Sequence, residues 1–415
     1  MKFHWFHLMP YRYLPPDFPQ RYRSIWVDIP SQLYDPVKGH ALYNEYLDDL
    51  EYADQAGFDG ICVNEHHQNG YGLMPSPNLM AAALTRRTRN ANLVVMGNSI
   101  ALYNPPIRVA EEMAMLDVMS GGRLVAGFPL GTAMDTTFGY GVPPAVLRDR
   151  YHEAHNLIVQ AWTRPDPFTF NGKYTKLRYV NVWPRPLQKP HPPIWVPGAG
   201  TLETWEWVAE MGYVYLYLSY FGHKRGREVM DGYWEFVDRY GGDTNPYRAG
   251  FLQVIAVSET DASAEEEYAE HALFFYNTCL HVYPGFADPP GYRTLRTLKA
   301  SGFSGLAASA RPFGQLGWKD LVERGYVVAG SPASVRDQLR EVIKNLRVGH
   351  LLLLLHFGSM PHHLTLKNTD LFAREVMPHL RDLWSEHEDR WSPVPLPAEE
   401  RVQPGAAAQG LRSEV

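Results

Sequence analysis

The sequence predicts a (β/α)8 (TIM) barrel with insertions, and three observations carry that prediction. Short β-like runs alternate with longer helix-patterned stretches from one end of the chain to the other. Eight such units can be placed in order, which fits a closed barrel better than an open doubly wound sheet. No Gly-x-Gly-x-x-Gly follows the first strand, and the nearest glycine cluster, Gly121-Gly122, precedes a strand, so a dinucleotide-binding sheet fits poorly.

Strands are expected over residues 3–9, 60–64, 93–100, 124–127, 194–196, 214–218, 251–257 and 350–357. Helices are expected over 42–56, 78–86, 106–119, 146–162, 202–211, 226–240, 262–276, 334–346 and 366–386. In the first of these, Leu42, Tyr46, Leu50 and Ala53 fall on one face while Glu45, Asp48 and Asp49 lie mostly elsewhere, and Gly57 stops the helix. In GSPASV, Ser331 can cap and Pro332 presets the first-turn angle. Two stretches exceed ordinary connections. Residues 163–193, with FTFNGKY and then WPRPLQKPHPP, read as a hairpin followed by a proline-rich link, and residues 277–327 read as a lid. Residues 1–390 are therefore expected to form one barrel domain, with 391–415 a flexible tail rich in Pro, Ala, Glu and Gly.

At 45% hydrophobic and 20% charged residues, the 415-residue chain can bury a large core. Its net charge of −6 comes without a basic stripe, so a nucleic-acid or anionic-membrane partner is not indicated and a small molecule is. Cys62 and Cys279 form no zinc-type spacing. The opening MKFHWFHLMP lacks the pattern of a secretory signal, and the apolar run 351–355 is too short to cross a bilayer, so a cytoplasmic protein is expected.

In such a barrel the chemistry sits where strands end, at their C-terminal side. There the chain places FDGICVNEHHQNGYG, with Glu65, His66 and His67 at the close of a strand. Neighbouring strand residues face opposite ways, which weakens a metal site built from both histidines, and no other His/carboxylate cluster has metal-ligand spacing. Asn98 sits within an apolar strand and needs partners, from backbone groups or from a cofactor edge. In VPGAGTLETWEWVAEMG, Gly198 and Gly200 precede a helix begun by Thr201, and Thr204 adds a second hydroxyl. That is the chemistry of a phosphate cradle, although a simple capped helix explains the same residues. Apolar and aromatic groups at Met9, Tyr103, Tyr220 and Phe286 point to an organic substrate with a sizeable apolar part, and His356 at the last strand end joins them as a substrate-site candidate.

Taken in order, FDGICVNEHH, GNSIALYNPPIRVAEEMAMLDVMSGGRLVAGFPLG, RYHEAHNLIVQAW, KPHPPIWVPGAGTLETWEWVAEMGY, GSPASVRDQLREVI and FAREVMPHLR resemble the bacterial-luciferase-like flavin monooxygenases over about residues 1 to 385. The resemblance implies a barrel that takes reduced FMN (FMNH2) from a separate NAD(P)H:flavin reductase and reacts it with O2, the flavin hydroperoxide then oxygenating a small organic substrate. It implies His66 as the catalytic acid/base and His67 as structural. It places a non-prolyl cis peptide at Gly97-Asn98 against the flavin, and Gly200, Thr201 and Thr204 around the FMN phosphate. Where the luciferase α subunit has Cys-Arg, this chain has Pro129-Leu130, so the phosphate charge must be met elsewhere, with Arg150 and Tyr151 as candidates. Dimerisation is common among the proteins resembled, and a homo-oligomer is expected. The alternatives are a deazaflavin-dependent hydride-transfer enzyme on the same fold and a non-catalytic flavin-binding partner subunit.

Overall fold

The computed structural model describes residues 1–301 and 316–402. Its strands, in chain order, are β1 (Lys2–Phe6), β2 (Gly60–Val63), β3 (Asn92–Val95), β4 (Leu124–Gly127), β5 (Phe168–Asn171) and β6 (Lys176–Val180). They continue as β7 (Ile194–Gly198), β8 (Val214–Tyr217), β9 (Ala249–Val257), β10 (Val327–Gly330) and β11 (His350–Leu354). β5 and β6 pair antiparallel, as FTFNGKY foretold. Eight parallel strands close a barrel in the order β1-β2-β3-β4-β7-β8-β9-β11, with β11 paired back to β1.

β10 has no counterpart among the expected strands. It pairs with the outer end of β9, Val327 opposite Val254, and its four residues are too few to show a period in the sequence. Three strands expected to run to residues 9, 100 and 357 leave the ladder at Phe6, Val95 and Leu354. The apolar residues beyond them are buried in the loops at the barrel mouth instead, where Met9 takes a left-handed φ of 53°.

Barrel strands are covered on both sides, which is why they read as continuous apolar runs; every residue of β9 is buried. Side chains fill the interior. His4 Nε2 lies 3.1 Å from His350 Nδ1, and the Trp195 ring packs 4.5 Å from His350. Gly60 is needed opposite them, because a Cβ there would sit 2.5 Å from His4 Nδ1.

The outer helices start and stop on local chemistry. Asp35 accepts from the amides of Val37 and Lys38 at the head of Pro36–Gln55, and Gly57, at φ 86°, ends that stretch. Ser331 caps Pro332–Leu346 as its sequence indicates, accepting from Ser334 N. The helix His362–Leu371 carries Asn368, which accepts from Val257 N at 2.8 Å and donates to Ile255 O and Leu355 O, each at 2.8 Å. Asn368→Leu strands these backbone groups in a dry interior, and is expected to cost about 2–4 kcal/mol in urea unfolding.

No helix among the described residues is long and apolar enough to cross a membrane. The stretch expected to begin a flexible tail is tied down at first. Trp391 Nε1 donates to Gly212 O, its carbonyl accepts from Trp195 Nε1, and Leu396 N donates to Gly121 O. Residues 403–415 lie outside the described residues, as do 302–315 of the expected lid.

Candidate active site

At the C-terminal mouth of the barrel the strand-end loops enclose a cavity of about 1870 Å³, lined by residues that include His66, Thr201, Thr204 and Tyr220. A drug-sized ligand typically fills about 300–1,000 Å³, so there is room here for a cofactor and a substrate together.

The Glu-His-His stretch lies beyond the end of its strand, so the loop and not strand alternation sets its directions. β2 ends at Val63, and Glu65 then binds His67, Oε1 to Nε2 at 2.6 Å. Glu65 also accepts from Ser99 N at 2.7 Å and from Tyr103 Oη at 3.1 Å, so it fixes the loop that follows β3. His66 lines the cavity beside Glu65. Its Nδ1 lies 3.0 Å from Asp135 Oδ2, and Asp135 also accepts from His67 N at 2.8 Å and Thr132 Oγ1 at 2.8 Å. Burial alone pushes the Asp135 carboxyl up, but the His66 bond and the other donors outweigh it and hold it below its usual value. A carboxylate only accepts, so His66 carries its proton on Nδ1 and leaves Nε2 available to a ligand. The rings of Trp26 and Tyr71 pack edge-on against His66 at 4.8 and 4.9 Å and fix its plane.

The glycine-threonine stretch forms a second wall. Gly198, Gly200, Thr201 and Thr204 all line the cavity at the head of the helix Leu202–Met211. Gly200 stands at φ 93°, where a Cβ would come within 3.1 Å of Val229. Thr201 makes no side-chain cap; its hydroxyl instead bonds that of Thr204 at 2.7 Å, and two hydroxyls sharing one bond keep one proton for a ligand. The first amides of a helix have no partner within it. Arg148 also lines the cavity, and its guanidinium has no ion-pair or hydrogen-bond partner among the described residues. An unpaired cation, a helix start and a glycine cradle fit a phosphate ester.

Several expected positions fall elsewhere. Arg150 and Tyr103 line a separate cleft of about 120 Å³. Tyr151 is buried, its hydroxyl donating to Phe128 O at 2.7 Å. Residues 148 and 150 lie about 200° apart on one helix, so only one of them can face the cavity. Gly97 and Asn98 do not line the cavity, and the peptide between them is trans; the cis bonds among the described residues precede prolines 105, 184 and 190. A Cβ on Gly97 would sit 2.9 Å from Glu65 N, so this glycine serves close chain packing, and Asn98 Nδ2 donates to Tyr103 Oη at 3.1 Å. Met9 is fully buried, off the cavity wall. Phe286 packs on Phe138, also off that wall.

His356 is buried behind the wall, its ring 4.6 Å from that of His7. His7 Nε2 is 3.6 Å from Asp49 Oδ2, and Asp49 Oδ1 lies 2.7 Å from His362 Nδ1. The Asp49 bond raises the His362 pKa above 6.5. A raised folded pKa adds stability in full below about pH 6.5, and that stability is lost as pH rises through the folded value. The Tm is therefore expected to fall as pH rises above about 6.5 by a component that His362→Gln removes.

From the long segment expected to be a lid, residues 277–301 cross this mouth. Tyr292 Oη donates to Gly131 O, and Thr294 and Thr297 donate to Glu203 at 2.6 and 2.7 Å, fastening the segment to the first turn of the cradle helix. The sequence pattern gave no sign of Asp135, Trp26, Arg148 or these latches.

Comparisons with known proteins agree with this fold. The chain is 32% identical over 160 residues to the oxygenase component of flavin-dependent trigonelline monooxygenase from Acinetobacter baylyi, a match covering 37% of this chain and 43% of that protein. In fold it is similar to the oxygenating constituent of 3,6-diketocamphane monooxygenase from the CAM plasmid of Pseudomonas putida, solved with FMN (TM-score 0.68, 18% identity, 91% of this chain and 98% of that one). It is likewise similar to an F420-dependent secondary alcohol dehydrogenase (TM-score 0.60, 20% identity, 92% and 99%). A family profile described as luciferase-like monooxygenase matches residues 29–349, most of the barrel and both cavity walls, and the chain belongs to that family.

Proposed function

We propose that this chain is a flavin-dependent monooxygenase that uses reduced FMN and O2 to oxygenate a small organic substrate. One observation carries the reading: the phosphate cradle and the His66–Asp135 pair open onto the same cavity, which is large enough for a flavin and a second molecule. Thr201, Thr204, the Leu202 amide and Arg148 would hold the phosphate. When bound, reduced FMN supplies the electrons that activate O2 for insertion into the substrate. His66, its Nδ1–H fixed on Asp135, is placed to hold or move a proton at Nε2. The aromatic wall and the segment 277–301 keep water from the reacting atoms. A separate reductase is part of this reading, supported by a relative's being named an oxygenase component.

A deazaflavin hydride-transfer enzyme is the second reading, favoured by the similarity to an F420-dependent fold. Stopped-flow mixing of protein and FMNH2 with oxygenated buffer separates the two. The first reading expects reoxidation that is biphasic and slower than that of free FMNH2. Reoxidation identical to the protein-free rate, together with tight binding of F420, would establish the second.

A further inference from the structure

Resting on the reading of this cavity as the substrate site, we propose that Tyr71 and Tyr220 form a hydroxyl pair that selects substrates carrying a carbonyl oxygen. Both rings line the cavity, and their hydroxyls hydrogen-bond to each other across a sequence separation of 149 residues. Two phenols bring two protons, and the bond between them uses one. Neither hydroxyl has a further partner among the described residues, so the remaining proton has no protein acceptor.

The surroundings hold that proton in place. Tyr71 is fully buried, stacked on Trp26 at 4.0 Å with 28° between the planes and edge-on to His66 at 4.9 Å. Tyr220 packs edge-on to Phe275 at 5.2 Å, and its carbonyl accepts from Tyr276 Oη at 2.9 Å. Burial pushes both phenols above their usual value of 10.0, so they stay protonated donors. An O–H left unpaired against an aromatic wall is costly, and an acceptor oxygen on the ligand removes that cost. A ligand that only donates would leave the proton stranded. The donor stands beside His66, so a ketone or aldehyde oxygen bound to it lies next to the group that handles protons.

The test compares acetophenone with its oxygen-free isostere α-methylstyrene, by calorimetry on the full chain with and without saturating FMN. The ratio of their affinities is expected to move about 5- to 10-fold against acetophenone in the double variant Tyr71→Phe/Tyr220→Phe. Either single variant is expected to keep the ratio within about twofold, because the surviving phenol still has its own proton free. A ratio unchanged in the double variant, or no acetophenone bound at its solubility limit, overturns the proposal. A second measurement needs no variant. The carbonyl stretch of bound acetophenone is expected below its position in hexane, and a band at the hexane position overturns the proposal. FMN binding is read separately from flavin fluorescence, so a failure of the flavin reading is seen independently of the hydroxyl pair.

Discussion

His66→Ala is expected to bind FMN within about threefold of the parent protein yet to lose about 10²- to 10⁴-fold in oxygenation rate, the range for removing a positioned acid/base group. The separation of the two effects follows from the geometry. The proposed phosphate contacts come from the loop after β7 and from Arg148, while His66 stands after β2 and touches Asp135, Trp26 and Tyr71. Asp135→Asn is the companion test. Its amide can offer an N–H to His66 Nδ1, which moves the ring proton to Nε2 and presents the ligand with a donor where the parent presents an acceptor. Turnover should fall about 10- to 100-fold with FMN affinity again unchanged. Oxygen uptake and flavin titration measure the two quantities. Parent-like turnover in His66→Ala would remove this residue from the chemistry and return the partner-subunit reading to the front.

Arg148→Ala is expected to weaken FMN binding about 10- to 100-fold, the value of a charge-assisted hydrogen bond to phosphate at about 1.5–3 kcal/mol. Riboflavin, which lacks the phosphate, should bind the variant and the parent equally. Arg150→Ala is the internal control, since that side chain opens onto a different cleft and should leave both affinities unchanged. Added salt should weaken FMN binding to the parent more than to Arg148→Ala, because the lost interaction is between charges. Equal loss of riboflavin and FMN would instead show that Arg148 supports the loop as packing.

The sequence by itself determined what neighbouring residues settle among themselves. The eight barrel strands read as apolar runs because parallel strands covered on both faces have no polar side to show. The hairpin after residue 163, the Ser331 cap and the Gly57 stop depend on a few consecutive residues, and all appear as read. The Glu65–His67 bond is also local, joining residues two apart in a loop just past the end of β2. The helix start at Thr201 was legible for the same reason, as a helix start announces itself locally.

Only the tertiary structure decided the rest. Asp135 reaches His66 from 69 residues away, and nothing local marks that acid as different from its neighbours. The choice of Arg148 over Arg150 is a matter of helix rotation, which is fixed by how Tyr151 and its face pack against the barrel. Gly97 and Asn98 were drawn toward a cofactor by their place in the chain, yet the close approach of Glu65 sets them to organising a loop. His356 looked exposed to a ligand at a strand end, and the turn of the chain after β11 buried it against His7. Local patterns give the type of an element and the direction of its faces. Which distant side chains meet in the cavity depends on closure of the ring, which no short stretch of the chain contains.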